Sequence, residues 1–229
     1  EQAVALARRE GDDCVGIAYT YSEPLMWYEY VLDTARLAQE AGLKNVLVTN
    51  GFIQPAPLAE LLPLIDALNI DVKGFTSAYY HKVCGGSLEP VLKTVEAAVR
   101  AGCHVELTTL LVPGLNDASE EIRALAGWVA DLSPTIPLHL TRYFPQYKLE
   151  LPPTSLATLE RAWEIAREKL SYVYIGNALT DKGQNTYCPG CGALLIERRG
   201  FSAQPVGLTD GRCRACGRAA EVANTSLKG

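Results

Sequence analysis

Six short apolar runs alternate with helix-patterned stretches along most of this chain, and five of the runs end in a distinct polar tag. The tags are Tyr-Ser-Glu-Pro at 21–24, Thr-Asn-Gly at 49–51, Asp-Val-Lys-Gly at 71–74, Thr108 and Thr109 following Glu106, and Arg142 following His139. Each lies just past a strand-like run and just before a helix. Buried strands alternating with helices, in repeats of roughly 25–35 residues, predict an α/β fold with a mainly parallel sheet. In such sheets the carboxyl ends of the strands share one face, and ligands bind there. The tags therefore converge as one set of carboxylate, amide, hydroxyl, ammonium and guanidinium groups, suited to a polar, zwitterionic ligand.

The strands are read at 15–19, 46–48, 68–72, 105–112, 138–142 and 172–175. Helices are expected over 1–9, over 25–40 with Gly42 as its cap, over 57–65, and over 88–101 opened by Ser87. Asp117 with Glu120 reads as a capping box opening a helix through Ala130, and Thr154 as the cap of the next helix. Periodicity does not say whether the sheet closes into a barrel. A linker at 176–187 leads to a separate element, so the expected domains are 1–180 and 181–229.

That second element is written in cysteine. Cys188-Pro-Gly-Cys191-Gly and Cys213-Arg-Ala-Cys216-Gly form two Cys-x-x-Cys knuckles separated by 21 residues. Four thiolates from two such knuckles suit a tetrahedral Zn²⁺ site, with rubredoxin-type iron as the competitor. Leu194 to Ile196 and Gly207 with Leu208 are expected as its small strands, the pattern of a zinc ribbon. Cys14, Cys84 and Cys103 stand alone and read as small buried apolar residues. Seven cysteines without a secretory pattern point to a reducing, cytoplasmic setting. No apolar run approaches the ~20 residues of a membrane helix, so no membrane partner is expected. A net charge of −5 and a pI near 5.3 argue against nucleic acid as a partner. The charge is uneven, about +3 from Cys188 onward and about −8 before it.

Taken in order, Tyr-Thr-Tyr-Ser-Glu-Pro, Val-Thr-Asn-Gly, Asn-Ile-Asp-Val-Lys-Gly-Phe, Lys-Val-Cys-Gly-Gly, Thr-Thr-Leu-Leu-Val-Pro-Gly-Leu-Asn-Asp and His-Leu-Thr-Arg-Tyr-Phe-Pro resemble the radical S-adenosylmethionine (SAM) enzymes. The branch around pyruvate formate-lyase-activating enzyme is nearest, and more narrowly the AmmeMemoRadiSam system radical SAM enzyme with its cysteine-rich ribbon. The resemblance implies a partial (βα)6 barrel in which a [4Fe–4S] cluster cleaves SAM reductively to a 5′-deoxyadenosyl radical. That radical then abstracts hydrogen from a substrate. The implied partners are an electron donor and a substrate, for which family context suggests a protein or peptide. Those enzymes hold the cluster by a Cys-x-x-x-Cys-x-x-Cys loop after the first strand, and that spacing does not occur here. Residue 1 also begins inside a helix pattern. The five tagged strands are accordingly expected as the second to sixth of a barrel lacking its first strand, with the cluster ligands outside this chain.

Carried over residue by residue, the resemblance gives Ser22 and Glu23 the place of the motif that meets the methionyl amine. Thr49 and Asn50 face ribose or methionyl groups, Asp71 the ribose hydroxyls, and Lys73 the methionyl carboxylate. Thr108 stands near where the activating-enzyme branch carries an arginine, so carboxylate recognition passes to Lys73 or Arg142, with His139 beside it. Cys84 is expected as a hydrogen-atom donor or thiol relay. Each has a plainer reading: a capping acid at Glu23, a turn at Asn50, an Asp71–Lys73 salt bridge, a packed His139, a packed Cys84. Two rival functions stay open. One is a hydrolytic or aldol-type barrel using Lys73 or His139; the other is a ribbon that binds a partner beside an inactive barrel.

Overall fold

The computed structural model describes residues 1–11, 14–200 and 202–220; the last nine residues of the expected second domain lie outside that range. The chain runs α1 (Gln2–Arg9), β1 (Gly16–Tyr19), a 3-10 turn at Pro24–Trp27, α2 (Tyr28–Glu40), β2 (Lys44–Thr49), α3 (Pro55–Leu61) and β3 (Ala67–Asp71). A single turn, α4 (Ser77–Tyr79), passes into a π-helical turn at Tyr80–Cys84. Then follow α5 (Leu88–Arg100), β4 (His104–Leu111), α6 (Ser119–Leu132), β5 (Leu138–Arg142), α7 (Leu156–Arg167) and β6 (Val173–Gly176). The strands form one parallel sheet in chain order, β1 to β6. The five tagged runs are β1 to β5, and β6 extends the same sheet.

The two faces of the sheet differ in chemistry. Leu47, Leu68, Ile70, Leu107, Leu138 and Leu140 are buried, packed in one cluster with Val31, Ala35, Val95, Leu125 and Leu159 of the helices. Each such side chain contributes about 2 kcal/mol through burial, which fixes the strand register because a one-residue slip would turn it outward. The alternate positions include Asn69, Asp71, Glu106, Thr108, His139, Thr141 and Tyr174, all only partly covered. An eight-stranded barrel of this kind fills its interior with layers of branched apolar residues. Here the inner face is polar and open, a chamber wall and not a core.

Pairing register places Asp71 opposite Thr108, Thr108 opposite His139, and His139 opposite Tyr174. Four polar inner-face side chains thus form one row across β3 to β6. At the other edge, a Cβ on Gly16 would lie 2.0 Å from the carbonyl oxygen of Lys44, its partner on β2. Gly16→Ala is therefore expected to force β1 off the sheet and destabilise the fold by about 3 kcal/mol, read as a lowered denaturant midpoint.

Several helix starts differ from the sequence reading, three of them because a side chain is engaged elsewhere. The helix expected from Leu25 is broken into the 3-10 turn and α2, since Glu23 accepts from the Leu25 N–H and Pro24 fixes the first turn. The helix expected over 57–65 starts earlier at Pro55 and tightens into a 3-10 turn at Leu62–Leu64. Asp117 does not cap α6: its carboxylate accepts from Gly114 N–H, and Ala118 precedes the helix without a side-chain cap. Thr154 does not cap α7 either. It is buried, donating to the Leu111 carbonyl and accepting from Tyr143 N–H, and Ser155 caps the helix by accepting from Thr158 N–H.

Beyond β6 the C-terminal element is built from β7 (Thr186–Tyr187), β8 (Leu194–Arg199), β9 (Ser202–Gln204), β10 (Leu208–Thr209) and β11 (Arg212–Cys213). Antiparallel pairing joins β7 to β8 to β9, and β10 to β11. Its buried hydrophobic centre, among the described residues, is Cys188, Leu195 and Cys213. Among the described residues no helix is long and apolar enough to cross a membrane.

Candidate functional site

Six of the nine residues proposed for cofactor contact line one cleft of about 320 Å³ at the carboxyl ends of β1, β2 and β3: Ser22, Glu23, Thr49, Asn50, Asp71 and Lys73. Its other walls are Thr20, Tyr21 and Val48. Glu23 ties two strand ends together. Its Oε1 accepts from Thr49 Oγ1 at 2.6 Å and from Leu25 N–H at 3.3 Å, and its Oε2 accepts from Asn50 N–H at 2.8 Å. Thr49 in turn accepts from Gly51 N–H, and Asn50 Oδ1 from Phe52 N–H, so the turn after β2 is set by side chains the cleft exposes. The capping role of Glu23 and its place in the cleft are both real.

Lys73 donates to Asp71 Oδ2 at 2.8 Å, the pair being about two-fifths exposed on each side (43% and 38%). An exposed pair of this kind adds little stability. What holds Lys73 is its backbone. Its N–H donates to the Tyr80 hydroxyl, its carbonyl accepts from Asn116 Nδ2 at 2.7 Å, and the preceding Val72 carbonyl accepts from Thr109 Oγ1 at 2.8 Å. Asn116 is buried and also bonds Leu110 O and Val112 N–H, which locks the end of β4 to the end of β3. The sequence reading missed Asn116; the signal was the Pro-Gly-Leu-Asn-Asp turn that follows β4.

The other three lie outside that cleft. Thr108 donates to Asn69 Oδ1 at 2.8 Å. Arg142 donates from Nε to the Thr154 carbonyl and stacks its guanidinium 4.8 Å from the Phe144 ring, two strands from Lys73. His139 bonds Glu106 through Nε2 at 2.8 Å and stacks on Tyr174. Cys84, expected as a packed thiol or a relay, is exposed at the end of the π-helical turn. Partial burial pushes its thiol up, and the Lys73 ammonium opposes that rise.

Glu106 was not singled out by sequence. It accepts from His139 Nε2 and from His104 Nε2, at 2.8 and 3.2 Å. Hydrogen bonds from His104 and then His139 hold its carboxyl far below the usual range, and the bond to Glu106 raises His104. The sign follows. The Glu106 contribution is complete above the unfolded carboxylate value of ~4.3 and is lost as pH falls through its folded value. The His104 contribution is complete below ~6.5 and is lost as pH rises through its folded value. In thermal melts Glu106→Gln is expected to flatten the loss of stability between about pH 5 and pH 3; an unchanged slope there would contradict the assignment.

In the C-terminal element two knuckles repeat one hydrogen-bond pattern. Cys188 N–H donates to Ala193 O and Gly192 N–H to Cys188 O; Cys213 N–H donates to Arg218 O and Gly217 N–H to Cys213 O. Gly192 and Gly217 both take φ of +73°, a left-handed turn that suits glycine. The result brings Cys188, Cys191, Cys213 and Cys216 within 4.8 Å of one another at their sulfurs. Cys188 and Cys216 are 3.6 Å apart, Cys191 and Cys213 3.7 Å. Sulfurs of a tetrahedral site with metal–sulfur bonds of ~2.3 Å sit about 3.8 Å apart. Burial raises the Cys188 thiol, but N–H groups of Gly190 and Cys191 and the neighbouring thiols bring it down to about 6. This is a metal-site geometry in a segment with almost no apolar core.

A parallel α/β sheet with a polar cleft at its strand ends defines the class, and comparison with known proteins gives the family. Residues 1–126 match the radical SAM superfamily. An uncharacterized protein of Methanocaldococcus jannaschii is 46% identical over 227 residues, covering 97% of this chain and 67% of that protein. The pyruvate formate-lyase 1-activating enzyme of Escherichia coli K12 is 23% identical over 160 residues, 64% of this chain and 65% of the enzyme. The chain thus spans about two thirds of the length of these relatives. Among solved structures, a domain of a pyruvate-formate lyase-activating enzyme from Bacteroides vulgatus superposes with a TM-score of 0.60 at 22% identity, covering 71% of this chain and 99% of that one. Streptococcus suis SuiB bound to S-adenosylmethionine superposes with a TM-score of 0.60 at 13% identity, covering 80% and 45%. The chain belongs to the radical SAM superfamily, and its fold is the α/β partial barrel of that superfamily.

Proposed function

We propose that this chain is the SAM-binding barrel of a radical SAM enzyme related to the activating enzymes, and more narrowly an AmmeMemoRadiSam system enzyme. One observation carries the reading: tags from three separate strands meet in a single polar cleft. The donor set fits the amino-acid end of SAM. Lys73 Nζ has three protons and gives one to Asp71, which leaves two for a carboxylate. Among the described residues Glu23 Oε2 accepts a single bond and Asp71 Oδ1 none, which leaves lone pairs for an ammonium and for ribose hydroxyls. Ser22, Thr49 and Asn50 complete the polar rim.

A [4Fe–4S] cluster supplies the electron that cleaves SAM in this superfamily. Its thiolates are not gathered near the cleft: among the described residues the cysteine cluster is the C-terminal one, and Cys14, Cys84 and Cys103 are single. The chain's own residues bind and orient the cofactor at the mouth of the chamber. The C-terminal knuckles are assigned to Zn²⁺, on the sulfur spacing and the small core. An electron donor and a protein or peptide substrate are the partners this reading implies.

The test is reductant-dependent formation of 5′-deoxyadenosine by the cluster-loaded holoprotein under anaerobic conditions. The nucleoside is expected only with reductant present. SAM that binds but is never cleaved would instead support a barrel that does other chemistry.

A further inference from the structure

We infer that His139 is a hydrogen-bond and proton acceptor in the chamber, aimed by Glu106 at a substrate bearing an O–H or N–H group. The reasoning begins with the carboxylate. Glu106 sits on the inner face of β4 with each oxygen taken by one imidazole, Oε2 by His139 and Oε1 by His104. An ionised carboxylate only accepts, so the nitrogen facing it carries the proton. Nε2 of His139 is therefore the N–H, and in the neutral ring the lone pair is at Nδ1.

That lone pair is free and open. Among the described residues no protein group bonds His139 Nδ1, and no buried side-chain nitrogen or oxygen lacks a partner. An unbonded Nδ1 on a partly covered side chain is thus exposed to the chamber. The ring itself is held on its face as well as its edge. Tyr174 stacks on it with centroids 5.2 Å apart and planes 25° from parallel. Tyr174 is fixed in turn by a 2.8 Å bond between its hydroxyl and Thr186, and by Arg198 of β8 lying 5.2 Å from its ring. An imidazole held at one edge and on one face, with its one lone pair left free, is an acceptor without a protein donor.

Register says what it faces. Asp71 of the cleft, Thr108 and His139 occupy one row, so His139 stands two strand spacings, about 10 Å, from the cofactor cleft. Thr108 of the intervening strand is the residue between them in that row. A substrate O–H or N–H that reaches His139 from the chamber gives its proton to Nδ1: the X–H bond breaks, its electron pair stays on X, and the new imidazolium is paired with the Glu106 carboxylate. Which hydrogen atom is then abstracted rests on the radical SAM reading; the orientation of His139 does not.

The protein has three histidines, His81, His104 and His139, which makes the test direct. With ring-nitrogen-labelled histidine in the full chain, well above the imidazole range, long-range proton–nitrogen spectra report which nitrogen is protonated. His139 is expected as the Nε2–H form, and Glu106→Ala is expected to return it to a mixture. Diethyl pyrocarbonate, read by peptide mass, is expected to acylate His139 at a rate within about tenfold of exposed His81. An Nδ1–H tautomer overturns the inference, as does a His139 that stays unmodified while His81 reacts. If Glu106→Ala fails to fold, Glu106→Gln serves as the second variant. Because neither readout needs SAM or the cluster, failure here is distinguishable from failure of the enzymatic reading.

Discussion

Removing metal from the four-cysteine site is expected to unfold β7 to β11 while leaving the six-stranded sheet intact. The physical reason is the size of what remains. Among the described residues, Cys188, Leu195 and Cys213 are the buried hydrophobic centre of that segment, with Ala193, Ile196, Leu208 and Ala220 partly covered around them. Two of these three hydrophobic residues are themselves proposed ligands, so without metal the apolar centre is one leucine. Structural zinc contributes on the order of 10 kcal/mol of apparent binding free energy in small domains, which is folding free energy there. Hydrogen exchange of the chelated protein is expected to show amides such as Gly207 N–H to Leu195 O unprotected, against retained protection in β3 and β4. Cys188→Ser should reproduce the effect of chelation. Full protection of the segment in metal-free protein would remove the metal from its role.

Much of the fold was legible because binary pattern and strand position agree. The buried alternate of each strand is mostly apolar, as in Leu68 and Ile70, and five of the six strands end at a tag. The cysteine knuckles were legible for a different reason: two residues of spacing and a following glycine suffice to form the turn, with little tertiary context needed. The helix starts were not legible. Thr154 and Asp117 carry good capping chemistry, but long-range acceptors at Leu111 and a local turn at Gly114 compete for them. Glu106 was hidden because a carboxylate in a strand reads as solvated; His104 shares its strand, but only strand pairing brings His139 to its other oxygen. Asn116 was hidden likewise, since its three backbone partners lie on two different strand ends. Pairwise geometry across strands is what a single sequence withholds.

Lys73→Met and Glu23→Gln are both expected to weaken SAM binding, and they should differ in what else they change. A charge-assisted hydrogen bond is worth about 1.5–3 kcal/mol, so losing the Lys73 ammonium should raise the Kd for SAM by about 10- to 150-fold. Stability should scarcely move, because the salt bridge to Asp71 is exposed and the Lys73 backbone bonds to Tyr80 and Asn116 survive the substitution. Glu23 differs because its two oxygens serve three protein donors as well as the cleft. The glutamine NH₂ would face either the Leu25 N–H, beside a Thr49 hydroxyl that can turn to accept, or the Asn50 N–H, so one backbone donor loses its acceptor at a cost of about 1–3 kcal/mol. Glu23→Gln is therefore expected to lower the melting temperature by several degrees as well as the affinity. Calorimetric titration with SAM and thermal melts on the same samples separate the two effects. Should Lys73→Met bind SAM as tightly as the parent chain while melting normally, the cleft would not be where the methionyl carboxylate sits.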